Sequence, residues 1–229
     1  MDYSFTPLGD QAIVIEVGTE INEDVQNQVR TISSLLESRP PGWMIEFIPA
    51  FTTVSVFYNP AEALYETVEA ELLELLQQTA EASSYEPRTI EIPVCYGGEY
   101  GPDLEFVARH NKLTEKEVIE IHTSGTYSVY MIGFAPGFPF LGGMSEKIAA
   151  PRRDSPRLRI PERTVGIAGQ QTGVYPIETP GGWRLIGRTP IPLFLPENDP
   201  PSLLQAGDQV VFRQISENEY RGWEENNDA

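Results

Sequence analysis

The sequence predicts an α+β domain in residues 1–85, followed by a mainly-β domain in residues 88–229. Helical and strand-like hydrophobic patterns alternate in the first of these segments. Beyond residue 121 the helical periodicity stops, and Gly or Pro interrupts short apolar runs every several residues. Such interruptions are typical of an antiparallel barrel or sandwich. Residues 83–87 (SSYEP) form the predicted linker between the two domains.

The first domain is predicted to run strand, helix, strand, strand, helix, with the two helices packed over a small antiparallel sheet. Asn22 is the predicted N-cap of the first helix, which ends at Pro40. Leu64 is the first of five apolar residues at helical spacing in the second helix. The predicted strands are residues 12–17, 43–48 and 52–58, and the second helix follows residue 60 and runs to about residue 82.

The second domain is predicted to open with a strand and two short helices and then to continue as strands. Thr114 and Glu117 have the spacing of a capping box, which marks the start of the second short helix. The acidic tail from Glu217 is predicted to be frayed. The predicted strands are residues 89–95, 127–132 and 209–215, and the predicted helices are residues 103–110 and 115–121.

Composition limits the partners of the chain. The formal net charge is -18 and the pI is near 4.4, which argues against nucleic acid or an anionic membrane surface as a bulk partner. The single cysteine, Cys95, allows no intramolecular disulfide. No apolar run approaches the ~18 residues of a membrane span, and the first residues lack the features of a signal peptide. We therefore expect a cytoplasmic protein.

A basic segment stands out against this acidic background. Residues 147–190 contain eight Lys and Arg but only three Asp and Glu, so the segment carries +5. The same segment is rich in Gly and Pro at turn spacing, which indicates ordered loops. The contrast with the rest of the chain predicts a site for an anion.

Four residues near this segment are candidates for catalysis or anion binding. His122 ends the short helix before the strand at 127–132, where it is a candidate catalytic proton shuttle. The alternative is a histidine that only favours the helix dipole. Arg152, Arg153 and Arg157 flank prolines, which preset guanidinium groups for bidentate binding of a carboxylate or phosphate. A solvated basic loop is the alternative.

Two further motifs contain candidate ligand contacts. Gln171 and Thr172 lie in a segment flanked by glycines, where the backbone can closely approach a ligand. The alternative is a polar hairpin tip. Phe134, Phe138 and Phe140, which are separated by prolines, are candidates for lining a pocket or, alternatively, for a hydrophobic plug at one end of a barrel.

Several common site types have no counterpart in the sequence. The two histidines and the one cysteine do not form a metal-binding pattern, so no metal site is predicted. A phosphate-binding loop of the Walker type, a nucleophile elbow and a dinucleotide-binding fingerprint are all missing. A standard nucleotide-binding fold is therefore not encoded here.

Four motifs, taken together and in order, resemble the KipI family, also called allophanate hydrolase subunit 1. They are GFAPGFPFLGG, PRRDSPR, VGIAGQQTGVYP and PGGWRLIGRTP, and the resemblance covers most of residues 88–215. Gln170 departs from the family pattern, which usually has glycine there. Phe140 is a second departure, because tyrosine is common at that position.

The resemblance implies a cyclophilin-like β-barrel and a role as one subunit of an ATP-dependent 5-oxoprolinase. The partners it implies are a protein of the KipA type and a third subunit of the LamB/YcsF type. ATP, with Mg²⁺, is then a co-substrate, and no bound cofactor is expected in this chain. The residue roles that follow are anion binding by Arg152, Arg153, Arg157 and Arg188, orientation of the lactam or a phosphate by Gln171 and Thr172, and proton transfer by His122.

A second function is implied by the same resemblance. Some family members inhibit a sporulation sensor histidine kinase by binding its helical dimerisation domain. The basic and aromatic loops would then be a protein-docking surface. Both alternatives, enzyme subunit and kinase inhibitor, stay open at the level of sequence.

Overall fold

The computed structural model describes residues 3–77 and 87–227 of the chain. Contacts divide the chain into two compact units, Met1–Glu86 and Pro87–Ala229. The predicted linker at residues 83–87 lies, except for Pro87, outside the described residues.

The first unit contains a four-stranded antiparallel sheet in the order β1-β2-β4-β3 and two helices. The edge strand β1 was not predicted, because its four residues are mostly exposed and show no apolar alternation. Asn22 caps α1 as predicted, with its side chain accepting a hydrogen bond from the Val25 amide at 2.9 Å. The elements are β1 Ser4–Pro7, β2 Ala12–Glu16, α1 Glu23–Ser38, β3 Met44–Pro49, β4 Thr53–Tyr58 and α2 Tyr65–Gln77.

The core of the first unit lies between one face of this sheet and the two helices. Ile13 and Ile15 of β2 are fully buried, as the alternation in this strand requires. Leu64 was predicted on the apolar face of α2, but it is 68% exposed. Its carbonyl accepts the first helical hydrogen bond, from the Val68 amide at 3.0 Å, so Leu64 lies before the helix and its side chain does not share the buried face.

The second unit is a closed barrel of seven strands in the order β10-β7-β6-β13-β5-β12-β9. One neighbouring pair, β13 with β5, is parallel. This closure settles the choice between a barrel and a sandwich, whereas the cyclophilin-like topology stays a prediction. Strands β8 and β11 form a separate two-stranded sheet. The strands are β5 Thr89–Tyr96, β6 Thr126–Ile132, β7 Pro139–Gly142, β8 Arg157–Ile160, β9 Thr164–Ala168, β10 Gln171–Tyr175, β11 Thr179–Gly181, β12 Arg184–Arg188 and β13 Gln209–Gln214.

Three α-helices of the described chain accompany the barrel: α3 (Leu104–His110), α4 (Glu115–Ser124) and α5 (Glu217–Asn227). Thr114 and Glu117 form the predicted capping box at the start of α4, with both reciprocal hydrogen bonds present. The predicted fraying from Glu217 is wrong, because residues 217–227 are helical. Ser216 and Glu219 exchange the same kind of capping contacts, and the Tyr220 ring is buried, with its centroid 4.6 Å from that of Tyr100. None of the described helices combines the length and the apolar character that a membrane span requires.

Candidate functional site

His122 of α4 is buried between this helix and the barrel strands. Its side chain has no solvent exposure, and both ring nitrogens have hydrogen-bond partners. Nδ1 lies 2.7 Å from the Tyr96 hydroxyl of β5, and Nε2 lies 2.9 Å from the Thr172 hydroxyl of β10. The ring packs against Phe212 of β13, with 4.4 Å between the ring centroids. One helix and three strands therefore meet at this imidazole.

The hydrogen-bond partners assign the tautomer of His122. The Thr172 hydroxyl donates its one proton to the Gly166 carbonyl at 3.1 Å, so towards His122 it must accept. His122 Nε2 therefore carries the proton, and Nδ1 accepts from the Tyr96 hydroxyl. In this direction every member of the chain is satisfied by a neutral imidazole, with no proton left over.

Burial favours the same neutral state. Loss of solvation lowers the pKa of His122 to about 3, because a charged imidazolium is penalised in a water-free environment. Burial also raises the pKa of the Tyr96 hydroxyl well above its usual value. In this arrangement His122 has neither solvent access nor a free nitrogen.

Side chains alternate along β10 between two sides of the barrel wall. Thr172 and Val174 are fully buried, and Val174 belongs to the main core of the barrel. Gln171, Gly173 and Tyr175 alternate with them and thus point to the opposite face. The predicted site is therefore divided: Thr172 lies with His122 on the inner side, whereas Gln171 lies on the outer side.

An aromatic cluster covers this outer face. It is built around Phe138 and Trp183, whose ring centroids lie 5.5 Å apart in an edge-to-face arrangement. Gly166 and Gly173 are paired across β9 and β10, and a Cβ on Gly173 would lie 3.1 Å from both Phe138 and Trp183. The two glycines thus let the rings lie directly on the sheet. The members of the aromatic cluster are Phe134, Phe138, Phe140, Tyr175 and Trp183.

Phe134 is the exposed member of the aromatic cluster. Its side chain is 66% exposed, whereas Phe138 is buried. The backbone of Phe134 has φ 70, in the left-handed region that costs non-glycine residues energy and often marks a functional position. Its ring centroid lies 6.4 Å from that of Tyr175. The predicted pocket lining is therefore a packed cluster with one exposed ring on top.

Asp103, just before α3, accepts hydrogen bonds from two predicted anion-binding arginines. Arg157 forms a bidentate contact with its carboxylate, at 2.8 and 3.0 Å, and Arg153 lies at 3.5 Å. The carboxylate also accepts from the Leu185 amide at 2.8 Å. Its side chain is only 7% exposed. We call this group, Asp103 with Arg153, Arg157 and the Leu185 amide, the Asp103 cluster.

The Asp103 cluster corrects one expectation about Arg157. The sequence placed this residue in an exposed basic loop with no role in folding. Arg157 instead begins β8, and its side chain is 22% exposed. Because its guanidinium neutralises a buried carboxylate, it contributes to stability. Asp103 itself could not be identified from sequence, since its partners lie 50 and 54 positions away.

The remaining arginines differ in how far their side chains are engaged. Arg152 is exposed, and among the described residues no hydrogen bond or ion pair engages its guanidinium. Burial raises the pKa of Tyr175 to about 12, and Arg152 lies close enough to oppose that rise. Arg188 donates through Nε to the Glu162 carbonyl at 3.0 Å. Arg184 donates to the Pro151 carbonyl and stacks on Phe106, 3.5 Å from the ring centroid.

The outer face brings several predicted residues together. Tyr175 and Arg188 both pair with Thr164 of β9, so about 10 Å, two strand spacings, separates them. Arg152 and Arg157 also act on Tyr175 electrostatically. The outer face thus combines guanidinium groups, an aromatic cluster and one amide, which suits a ligand with a carboxylate or phosphate. Within the described ranges, no group of His, Cys, Asp and Glu side chains could hold a metal ion.

Comparison with known proteins identifies the family of the chain. The carboxyltransferase domain family, subdomains C and D, matches residues 3–204. The chain belongs to this family. The family includes the motif region on which the KipI resemblance rests, and that resemblance is confirmed by a relative from Bacillus subtilis (strain 168) that is named as a subunit of 5-oxoprolinase, the B component. It is 53% identical over 233 residues, which cover 97% of each chain.

Solved structures place this member of the carboxyltransferase domain family in a wider structural group. A conserved protein of Pyrococcus horikoshii is 47% identical and covers 95% of this chain and all of its own, with a TM-score of 0.57. The urea amidolyase of K. lactis is 18% identical, covers 99% of this chain and 16% of its own, and has a TM-score of 0.75. At that identity the second likeness shows the fold alone.

Proposed function

We propose that this chain is a subunit of an ATP-dependent 5-oxoprolinase, which hydrolyses 5-oxo-L-proline to L-glutamate. The observation that carries the proposal is the match, over 97% of both chains, to a relative named as a 5-oxoprolinase subunit. A subunit name implies further subunits. In this proposal they are a protein of the KipA type and a third protein of the LamB/YcsF type.

The chemistry of the substrate fits the outer face of the barrel. 5-Oxoproline is a lactam that carries a carboxylate, and opening the lactam is coupled to ATP. Phosphoryl transfer from ATP, with Mg²⁺, to the amide oxygen creates a good leaving group, which water then displaces. That transfer adds negative charge to the substrate, and guanidinium groups positioned beforehand stabilise such charge. A basic surface in a chain of net charge -18 supports this role.

The residue roles in the proposal follow from how each side chain is engaged. Arg152 and Arg188 are assigned to the anion, because Arg152 is exposed and Arg188 is engaged through Nε alone among the described residues. Arg153 is assigned a supporting contact, since its link to Asp103 is long, at 3.5 Å. Arg157 is assigned to hold the Asp103 cluster together. Gln171 is assigned to orient the lactam from the outer side of β10.

Exposed apolar side chains on the basic surface support a second candidate, a protein-docking module of the kinase-inhibitor type. Phe134 is 66% exposed and Leu158, between Arg157 and Arg159, is 89% exposed. Large exposed apolar side chains within a charged surface are typical of protein contacts. In the enzyme these same side chains would contact the partner proteins.

The deciding experiment is reconstitution. This chain, the KipA-type partner and the LamB/YcsF-type partner are purified separately, and ATP hydrolysis that depends on 5-oxoproline is measured for each protein alone and for the mixture. We expect turnover in the complete mixture and little or none from this chain alone. Full activity from the single chain would overturn the proposal that it is one subunit of several. Inhibition of a histidine kinase, with no turnover in the mixture, would favour the docking module.

A further inference from the structure

The hydrogen-bonded chain from Tyr96 through His122 to Thr172 lies behind the wall whose outer side carries the proposed site. It joins β5, α4 and β10 and ends on the Gly166 carbonyl of β9. The Tyr127 hydroxyl donates to the His122 carbonyl at 2.7 Å. The histidine is thus held through its backbone as well as through both ring nitrogens.

We infer that His122 is a positioning residue, which fixes Thr172 and thereby the outward-facing residues of β10, and that it does not exchange a proton with the substrate. The inference rests on the proposed function for the identity of the ligand. Its structural part, a neutral imidazole with the proton fixed on Nε2, is independent of that function.

Thr172 transmits this constraint because of its place in β10. It lies between Gln171 and Gly173, whose side-chain positions point to the opposite face. Gly173 cannot move outward, since a Cβ there would already be 2.9 Å from the Pro139 carbonyl. With the aromatic cluster on one side and the His122 hydrogen bond on the other, the strand is held from both faces.

The surroundings of His122 contain no charge that would favour its protonation. The described elements packed against it contribute Tyr96 from β5, Tyr127 from β6, Phe212 from β13 and Thr172 from β10. Only Tyr96 and Tyr127 among these can titrate, and both are neutral at ordinary pH, because burial raises the pKa of each. The Asp103 carboxylate and the arginines hydrogen-bonded to it belong to a separate group.

The chain has two histidines, which allows a direct spectroscopic test. Long-range ¹H–¹⁵N spectra of the imidazoles are recorded from pH 5 to pH 8 on the full chain, with His122→Gln and His110→Gln to assign the signals. We expect the signals lost in His122→Gln to show a proton on Nε2 and no change over this range. A His122 signal that titrates between these pH values, or a proton on Nδ1, would overturn the inference.

Kinetics of the reconstituted complex supply the functional arm. Thr172→Val removes one hydroxyl at nearly constant volume, His122→Gln keeps an amide donor, and the exposed His110→Gln is the control. We expect Thr172→Val to raise KM about three- to tenfold, as the loss of one hydrogen bond predicts. His122→Gln should change KM less than Thr172→Val, and the pH profile of kcat should not change in either variant. A lower kcat with loss of one limb of that profile would instead make His122 the proton-transfer group. If the complex shows no oxoprolinase turnover, the proposed function fails, whereas the spectra still decide the state of His122.

Discussion

Replacing Asp103 by alanine is expected to destabilise the barrel unit by about 3–5 kcal/mol, the usual cost of removing one partner from a buried ion pair. The Asp103 carboxylate accepts two hydrogen bonds from Arg157, at 2.8 and 3.0 Å, and one from the Leu185 amide, at 2.8 Å. Alanine leaves a guanidinium that is only 22% exposed without its counter-charge. It also leaves the buried amide without an acceptor, which alone costs about 1–3 kcal/mol.

Asp103→Asn separates the two contributions. Asparagine keeps an oxygen that can accept from the Leu185 amide, but it removes the charge that pairs with Arg157. We therefore expect a smaller loss, about 1.5–3 kcal/mol, which is the value of a hydrogen bond to a charged group. Arg157→Lys should also destabilise the unit, because lysine keeps the charge but cannot form the bidentate contact.

Arg159→Ala is the matched control, since this residue lies two positions along the same strand. Its ion pair with Glu178 is exposed, with side-chain exposures of 79% and 51%, and such pairs contribute about 0–1 kcal/mol. Urea unfolding followed by circular dichroism measures the free energy of unfolding, and hydrogen exchange reports on the Leu185 amide. Equal losses for Asp103→Ala and Arg159→Ala, with the Leu185 amide still protected, would refute the role given to the Asp103 cluster.

Three further expectations concern other parts of the barrel unit. Since the pKa of His122 is about 3 when folded and about 6.5 when unfolded, the unfolded chain binds the extra proton below pH 6.5. Stability should then fall as pH falls, by about 2 kcal/mol at pH 5, and urea unfolding of His122→Gln should not show this loss. Arg152→Ala should weaken binding of 5-oxoproline to the complex by about 1.5–3 kcal/mol at unchanged stability, whereas calorimetry of Lys147→Ala should show no such effect. Gly173→Ala should lower the stability by about 1–3 kcal/mol, because its Cβ would crowd the Pro139 carbonyl at 2.9 Å; thermal unfolding of Gly42→Ala, where nothing lies within 4 Å, is the comparison.

Features that depend on neighbouring residues could be predicted from the sequence. The caps at Asn22 and Thr114 formed as expected, because a cap and its partner lie within one helical turn. Strands were found where apolar residues alternate or run together, as at residues 12–16 and 209–214. The short edge strand at residues 4–7 and the helix at residues 217–227 were missed, since the first lacks alternation and the second is largely polar.

The composition of the candidate site was also accessible from sequence, but the engagement of its members was not. The motifs supplied arginines, aromatic residues and His122 as candidates. Only the fold showed that Arg157 is bound to a buried carboxylate, whereas Arg152 is exposed. It also showed that Thr172 and Gln171, adjacent in the chain, lie on opposite sides of the barrel wall.

The physical reason for this division is the distance along the chain over which each interaction acts. Helix caps, turns and strand alternation are fixed by residues a few positions apart, so local sequence determines them. The contact between Asp103 and Arg157 spans 54 positions, and that between His122 and Thr172 spans 50. Such partners meet only when the barrel closes, and burial then decides which charge is neutralised and which imidazole loses its proton.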